Sequence, residues 1–433
     1  MGESAASAIE ADVAIVGAGP AGIAAAVHAS GAGRRVVVLD AAPRPGGQIW
    51  RHQSRESLPG VAREWLDRLD RSGAVTFMST GVVDAGPGLR LGAEHQGRPI
   101  VVHAGSLVIA TGAQERFLPF PGWTLPGVMG VGGAQALVKA GMEVGGRRVA
   151  VAGTGPLLLP VAAALRRAGA DLRLVAEQAT AARVLGFAAS LWRTPRRLAQ
   201  AVAYRAAFAG VRYRWGTWVV RVDAAEGELH ATYTDGRSTW AEPVDLLCAA
   251  SGLVPSTELA RLLGCAVVDG GVAVDRLQLT SVPNVYAAGE PTGNTGVDAA
   301  LVEGAIAGLA AAGRGDEAGA YIPARDRHRD FSLRTVSAFR LREELRRRVG
   351  PDTIVCRCED VPYSALRPSW GARQAKLATR AGMGSCQARV CGPAMQYLFG
   401  SAADSVRVPL LPTPLGVLAD LSESGNDSQG ADR

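Results

Sequence analysis

Histidine and cysteine are scarce in this chain of 433 residues, six of each, and aromatic side chains make up only 5% of it. The histidines, at positions 28, 52, 95, 103, 230 and 328, are scattered without ligand spacing. That argues against a histidine metal centre, and no Ser-His-Asp or metallohydrolase pattern is present. His52, in 48-QIWRHQ-53, is the one histidine kept as a weak active-site candidate. No stretch approaches the roughly 20 apolar residues of a membrane span, so no integral membrane segment is expected. The opening MGESAASAI lacks the basic region and apolar run of a secretory leader. The reading is a soluble cytoplasmic protein, a setting where disulfides are rare and clustered cysteines favour metal or redox chemistry. Few aromatics beside 54 glycines suit an α/β fold with close helix–strand packing. The formal charge of +6 comes mostly from scattered arginine. Its densest run, 340-RLREELRRR-348, reads as a solvated or partner-facing helix, and no nucleic-acid partner is expected.

What the chain does have is a dinucleotide motif in full context. In 12-DVAIVGAGPAGIAAAVHASGAGRRVVVLD-40 the run Val13–Val16 reads as a buried strand, residues 21–29 as a helix and 36–39 as a second strand. Gly17, Gly19 and Gly22 form G-x-G-x-x-G, with Pro20 and Ala21 opening the helix. Such glycines permit a tight turn, close approach to a pyrophosphate and close helix packing, while Asp40 can bind ribose hydroxyls. Three further features favour FAD. Gly46, Gly47 and Gln48 follow the acid, and Thr111 and Gly112 end the buried strand 107-LVIATGA-113. In 284-NVYAAGEPTGNTGVDAALVEGAIAGLAAAG-313, Gly289 and Glu290 can hold a ribityl chain and a helix starting near Val297 can aim its positive end at a flavin. These residues resemble the flavoproteins with two dinucleotide-binding domains, the group of thioredoxin and glutathione reductases.

The plan repeats, degraded, in 147-RRVAVAGTGPLLLPVAAALRRAGADLRLVAE-177. Gly153 and Gly155 are kept, but Leu158 holds the third glycine position and Pro160 lies in the first helical turns. Glu177 ends the second strand and would prefer NAD(H) over a 2′-phosphate. Two readings stay open, a retained fold with impaired binding or a weak NAD(H) site. The residue pattern 213–252 alternates, with Glu-Gly and Asp-Gly turn signals, and reads as a meander closing an inserted domain. The resulting layout is an FAD-binding domain over 1–120 and 275–325 and a second dinucleotide-binding-like domain over 121–274, with a hinge crossing at 116–128.

A disulfide reductase of that group needs a paired thiol beside its flavin, and no C-x-x-C or C-x4-C occurs before residue 356. Cys248 and Cys265 sit in apolar surroundings and read as core thiols. Cys356 and Cys358 stand as C-x-C, and Cys386 and Cys391 as C-x4-C after 27 intervening residues. In an extended segment the first two face the same way; the second two need a loop or helix start between them. A [2Fe–2S] cluster stands ahead of zinc, and both ahead of disulfides.

The segments 355-VCRCEDV-361, 371-GARQAKLATRAGMGSCQARVCGP-393, 45-PGGQIWR-51 and 116-RFLPFPGWTLPGVMGVGGAQALVKAG-141 sharpen the resemblance. They are similar to the FAD-binding subunits of hydrogen cyanide synthase, the opine oxidases and the dye-linked proline or hydroxyproline dehydrogenases. That resemblance implies two glutathione-reductase-like domains plus a bacterioferritin-associated-ferredoxin-like domain over 350–400, followed by a tail over 401–433. It implies FAD on Gly17, Gly19, Gly22 and Asp40, and a [2Fe–2S] cluster on Cys356, Cys358, Cys386 and Cys391. It also implies two partners, a smaller flavin-containing catalytic chain and a small ferredoxin-like chain, with an amino-acid or opine substrate. The alternatives are a stand-alone NADH-dependent flavin reductase and a scaffold whose cluster is structural or redox-sensing. Residues 408–418 are expected to pack along a surface, and the polar 422–433 to be disordered.

Overall fold

A computed structural model of the chain describes residues 7–293, 296–401 and 405–426. They fall into two compact units, Met1–Ala113 with Pro255–Ser332 and Ser405–Arg433, and Gln114–Val254 with Leu333–Asp404.

The first unit is built on a mixed seven-stranded sheet. Its parallel part follows from runs of β-branched residues buried on both faces. Strand Ser7–Val16 pairs with Val36–Leu39 on one side and Arg98–Ile109 on the other, and Val285–Ala287 adds to the far edge of the latter. The first half of Arg98–Ile109 also pairs antiparallel with Arg90–His95. Helices Pro20–Gly31 and Val297–Ala311 lie against one another with almost no space between their backbones. A Cβ at Gly304 would stand 2.1 Å from the Ala21 carbonyl oxygen, and one at Gly308 2.3 Å from that of Ala25. Small residues four apart on one helix thus face small residues four apart on the other.

The chain returns to this unit after residue 404. Leu410 donates its amide to the Val83 carbonyl, at 2.8 Å. A helix over Leu415–Asn426 then buries Val417 and Leu421 against Val83 and Val101. Residues 408–418 therefore pack as expected, but 422–426 are helical rather than disordered; 427–433 lie outside the described residues. Valine and leucines at 417, 418 and 421 supply an apolar face that carries the polar residues beyond them into the same helix.

The second unit holds a fully parallel five-stranded sheet, in the order Arg212–Trp215, Asp171–Glu177, Arg148–Gly153, Leu246–Ala249, Val128–Gly130. The meander expected over 213–252 forms only in its middle, as three antiparallel strands, Trp218–Ala225, Glu228–Thr234 and Thr239–Val244, while Arg212–Trp215 and Leu246–Ala249 at its ends join the parallel sheet. Its second turn is closed by Asp235, whose carboxylate accepts from the amides of Arg237 and Ser238 at 2.8 Å each.

The basic run at 340–348 is not the expected solvated helix. Residues 340–342 belong to no helix or strand, Arg342 is extended, and only a 3-10 turn, Glu343–Arg346, follows. Two of the run's five arginines bind backbone while Arg340, Arg346 and Arg347 are exposed: Arg342 donates to the Gln178 carbonyl at 3.5 Å, and Arg348 to the carbonyls of Val219 and Leu118 at 3.0 and 3.1 Å, with burial pushing the Arg348 guanidinium down to about 10. Leu345 is buried with Leu118, Trp218 and Ala394, which anchors the turn.

Substituting Gly304→Val is expected to overpack the helix seam and cost about 1–3 kcal/mol. Thermal unfolding of the variant reads this directly, with Gly319→Val, where a Cβ meets nothing within 4 Å, as control.

Candidate functional site

The first glycine motif forms a backbone cradle at the carboxyl end of the Ser7–Val16 strand. A Cβ at Gly17 would lie 2.2 Å from the Ala110 carbonyl oxygen, and one at Gly22 only 1.8 Å from that of Gly17. The helix therefore starts at once, with Gly19 as N-cap and Pro20 in its first turn, directing its amide end over the strand. Ala21 follows against Gly289, whose Cβ would stand 2.8 Å from that of Ala21.

The other expected residues of this region converge on the same loop. Gly46 donates to the Ala18 carbonyl at 2.8 Å, and a Cβ at Gly47 would come within 3.0 Å of the Gly19 Cα. Gln48 is exposed beside them. Asp40 accepts from the amides of Ala18 and Ala42 at 2.5 and 2.6 Å, with burial raising its carboxyl above the usual range. Thr111 stands next to Gly17 and donates to the Ser256 carbonyl at 2.7 Å, while the Gly112 carbonyl accepts from the Ser256 amide. Glu290 follows Gly289 and is pushed up by burial alone; among the described residues no hydrogen bond to its carboxylate is formed. Val297 is the first residue of its helix. His52 contacts the Trp50 carbonyl at 2.8 Å, an ordinary loop contact.

One functional residue was missed. Glu303, 1% exposed, accepts at 2.9 Å from both the Gly289 amide and the Thr292 hydroxyl, and its other oxygen has no partner. It thereby fixes the loop that carries Glu290. A carboxylate in the middle of an Ala-rich helix, beyond Asp298 in its first turn, was the available signal, since such a group is almost never fully buried unless paired.

The second motif keeps the first contact of the first one and loses the next. A Cβ at Gly153 would lie 2.0 Å from the Ala250 carbonyl oxygen, the counterpart of Gly17 against Ala110. Leu158 is fully buried, and the helix begins only there, three residues after Gly155, where the first helix begins one residue after Gly19. Glu177, 0% exposed, uses both oxygens on backbone: Gly155 and Ala179 amides donate to it at 2.8 Å each. Burial pushes its carboxyl up to about 7.

Cys248 and Cys265 are core thiols, and burial pushes Cys248 up to about 12. The other four lie in the second unit, Cys356 and Cys391 at the ends of a two-stranded ribbon, Ile354–Cys356 with Val361–Pro362, and of a helix, Cys391–Phe399, and Cys358 and Cys386 in turns. Trp123 ties the ribbon down by donating to the Ile354 carbonyl at 2.6 Å. The C-x-C pair is not extended throughout: Cys356 ends a strand and is buried, whereas Cys358 lies in the following turn, exposed. Cys391 starts a helix, so the break required after Cys386 is present. The four thiols all interact: Cys358 is hydrogen-bonded with Cys386 and Cys391 with Cys356, and charge interactions also link Cys358 to Cys356 and Cys391 to Cys386. Gly384 makes the first pair possible, because a Cβ there would lie 2.2 Å from that of Cys358. Among the described residues no three or more His, Cys, Asp or Glu are grouped to hold a metal ion.

Residues 11–308, more than half of the chain, match the pyridine nucleotide-disulphide oxidoreductase family. The chain belongs to this family of flavoprotein oxidoreductases. It is 32% identical to an opine oxidase subunit of Agrobacterium tumefaciens, over 95% of this chain and 92% of that one. It is 31% identical to hydrogen cyanide synthase subunit HcnB of Pseudomonas aeruginosa, over 87% and 90% respectively. The likeness to these two proteins thus extends well beyond the dinucleotide folds. Among solved structures, L-proline dehydrogenase from P. horikoshii superposes with a TM-score of 0.66 at 19% identity, covering 96% of this chain and 81% of that one. Thioredoxin reductase from T. acidophilum superposes at 0.55 and 23% identity, over 70% and 98%. No helix among the described residues is long and apolar enough to cross a membrane.

Two outcomes follow from this geometry. Gly22→Leu, which gives the first motif the residue of the second, is expected to abolish flavin retention, read as loss of visible flavin absorbance in purified protein. Glu177 is protonated more readily in the folded state than in the unfolded chain. Its contribution therefore falls as pH rises from the ordinary carboxylate range through about 7, by up to about 3 kcal/mol. Unfolding midpoints measured from acid to mildly basic pH are expected to carry this slope, and Glu177→Gln to lose it.

Proposed function

We propose that this chain is the FAD- and [2Fe–2S]-carrying, electron-relaying member of a multi-subunit dehydrogenase or oxidase acting on the C–N bond of an amino acid, imino acid or opine. The observation that carries the reading is the pairing of four thiols in a flavoprotein that has no thiol pair before residue 356. A binuclear cluster has two irons, each bound by two thiolates, and two hydrogen-bonded thiol pairs suit that demand. The Gly382 amide, 3.4 Å from the Cys356 sulfur, is a donor that would stabilise thiolate charge.

In this proposal Gly17, Gly19 and Gly22 bring backbone amides to the FAD pyrophosphate, and Pro20 and Ala21 set the helix end that faces it. Asp40 receives ribose hydroxyls at its open edge. Gly46, Gly47, Gln48, Thr111 and Gly112 line the path toward the ring. Glu290 takes a ribityl hydroxyl, the partner its buried carboxylate lacks, and Val297 opens the helix directed at the ring. When bound, FAD supplies two-electron chemistry and the cluster single-electron transfer. Cys358 and Cys386, the more exposed pair, mark the side through which an electron enters or leaves.

The relatives named as subunits of opine oxidase and hydrogen cyanide synthase support a heteromeric complex, which this proposal places in the cytoplasm. A smaller flavin-containing catalytic chain would remove hydride from the substrate, and a small ferredoxin-like chain would complete the assembly.

The test is anaerobic purification of the native complex, with iron, sulfide and flavin analysis and a screen of amino acids and opines for flavin reduction. At least two irons and, besides the flavin of the smaller chain, one FAD for each copy of this chain are expected. Cys386→Ser is expected to lose the iron and keep the FAD. Zinc in place of iron, or rapid bleaching by NADH with no partner present, would sink the proposal.

A further inference from the structure

A dinucleotide bound on a fold of this kind lies across the carboxyl ends of the first two strands. Its pyrophosphate meets the glycine loop and its ribose meets the acid at the end of the second strand. In the second unit those places are Thr154–Gly155 and Glu177–Gln178. A stretch of the same unit, Phe339–Arg342, runs over both. Thr154 donates its hydroxyl to the Phe339 carbonyl at 3.0 Å, and the Phe339 Cβ lies 4.0 Å from where a Cβ on Gly155 would be. Gln178 grips the stretch at two points: its amide nitrogen donates to the Arg340 carbonyl at 3.3 Å, and its oxygen accepts from the Arg342 amide at 3.2 Å. Gln178 also donates to Thr154 at 2.8 Å, so the two anchors form one network. Phe339 packs edge-on against Phe187 at 5.2 Å, and Arg342 lies over Trp218 at 4.4 Å.

We infer that Phe339–Arg342 is a strap that closes the second dinucleotide cleft, so that this unit takes no NAD(H) and its nucleotide fold serves as the seat of the strap. The groups that would greet a nucleotide are all engaged. The Thr154 hydroxyl and Gln178 amide are given to the strap, and Glu177, whose two backbone bonds match those of Asp40, is fully buried where Asp40 is only half-buried. Thr154, Glu177 and Gln178 are 6%, 0% and 1% exposed. A buried polar network in which each member has a partner is costly to open, because every group released must find another. The inference stands on the second unit alone and does not depend on what the first unit binds. Its consequence is that electrons do not enter this chain from a pyridine nucleotide at this cleft.

The strap carries its own probe, since trypsin cuts after arginine and Arg340 and Arg342 lie within it. Cleavage there, read by mass spectrometry on the full folded chain, is expected to be slow. It is expected to rise by about ten-fold or more in the double variant Thr154→Val with Gln178→Ala, which removes the side-chain anchors. Titration of the unaltered chain with NADH, followed by nucleotide fluorescence, is expected to show no saturable binding up to about 1 mM. Equal cleavage in the two proteins would overturn the strap. Saturable binding of NADH by the unaltered chain would overturn the closure, even if the double variant failed to fold.

Discussion

The first unit depends on one close approach, the Pro20–Gly31 helix lying against the strand and helix that flank it. Two of its neighbours touch it backbone to backbone: the Gly17 turn meets Gly22, and Gly304 meets Ala21. With no side chain between them, the helix can start immediately after the strand. Its free amides then sit where Gly47, Asp40 and Gly289 also arrive. Dispersion contacts at such distances are individually small, but they hold several loops to one another without any bond specific to a ligand. The cradle is thus a by-product of packing, and any bulk in the seam would displace all of its walls together.

The second unit shows what the same fold becomes when that constraint is relaxed. Leu158 fills the space a glycine would leave empty, the helix start recedes, and Glu177 is fully buried, where Asp40, making the matching pair of backbone bonds, stays half-buried. A carboxylate that would have faced solvent and ligand becomes a buried structural group, with its charge opposed by its surroundings. Loss of one glycine therefore explains the altered loop and the displaced helix together.

Much of this was legible because it is written in periodicity. Buried β-branched runs, Gly-rich turns and the alternation of 213–252 give the strands, and Asp40, Gly46 and Gly289 follow from their spacing to a complete motif. The strap was not legible, since its anchors at Phe339 and Arg340 are backbone carbonyls, which any sequence possesses. Charge misled there: within a run that read as a wet helix face, Arg348 serves as a donor to the Val219 and Leu118 carbonyls. Glu303 was hidden for the opposite reason, an informative carboxylate inside a helix whose composition spoke only of packing. The C-terminal helix was missed because the polar residues after Leu421 outweighed the apolar face before them.

That helix has a consequence for how the protein is made. Val417, Leu421 and the Arg90 bond to the Leu421 carbonyl at 2.7 Å belong to a sheet whose first strands emerge from the ribosome hundreds of residues earlier. The second unit, thiols included, is complete in sequence by residue 404. A chain folding as it is synthesised can therefore finish the cysteine-bearing unit first, while one flank of the opening sheet waits uncovered for its last segment.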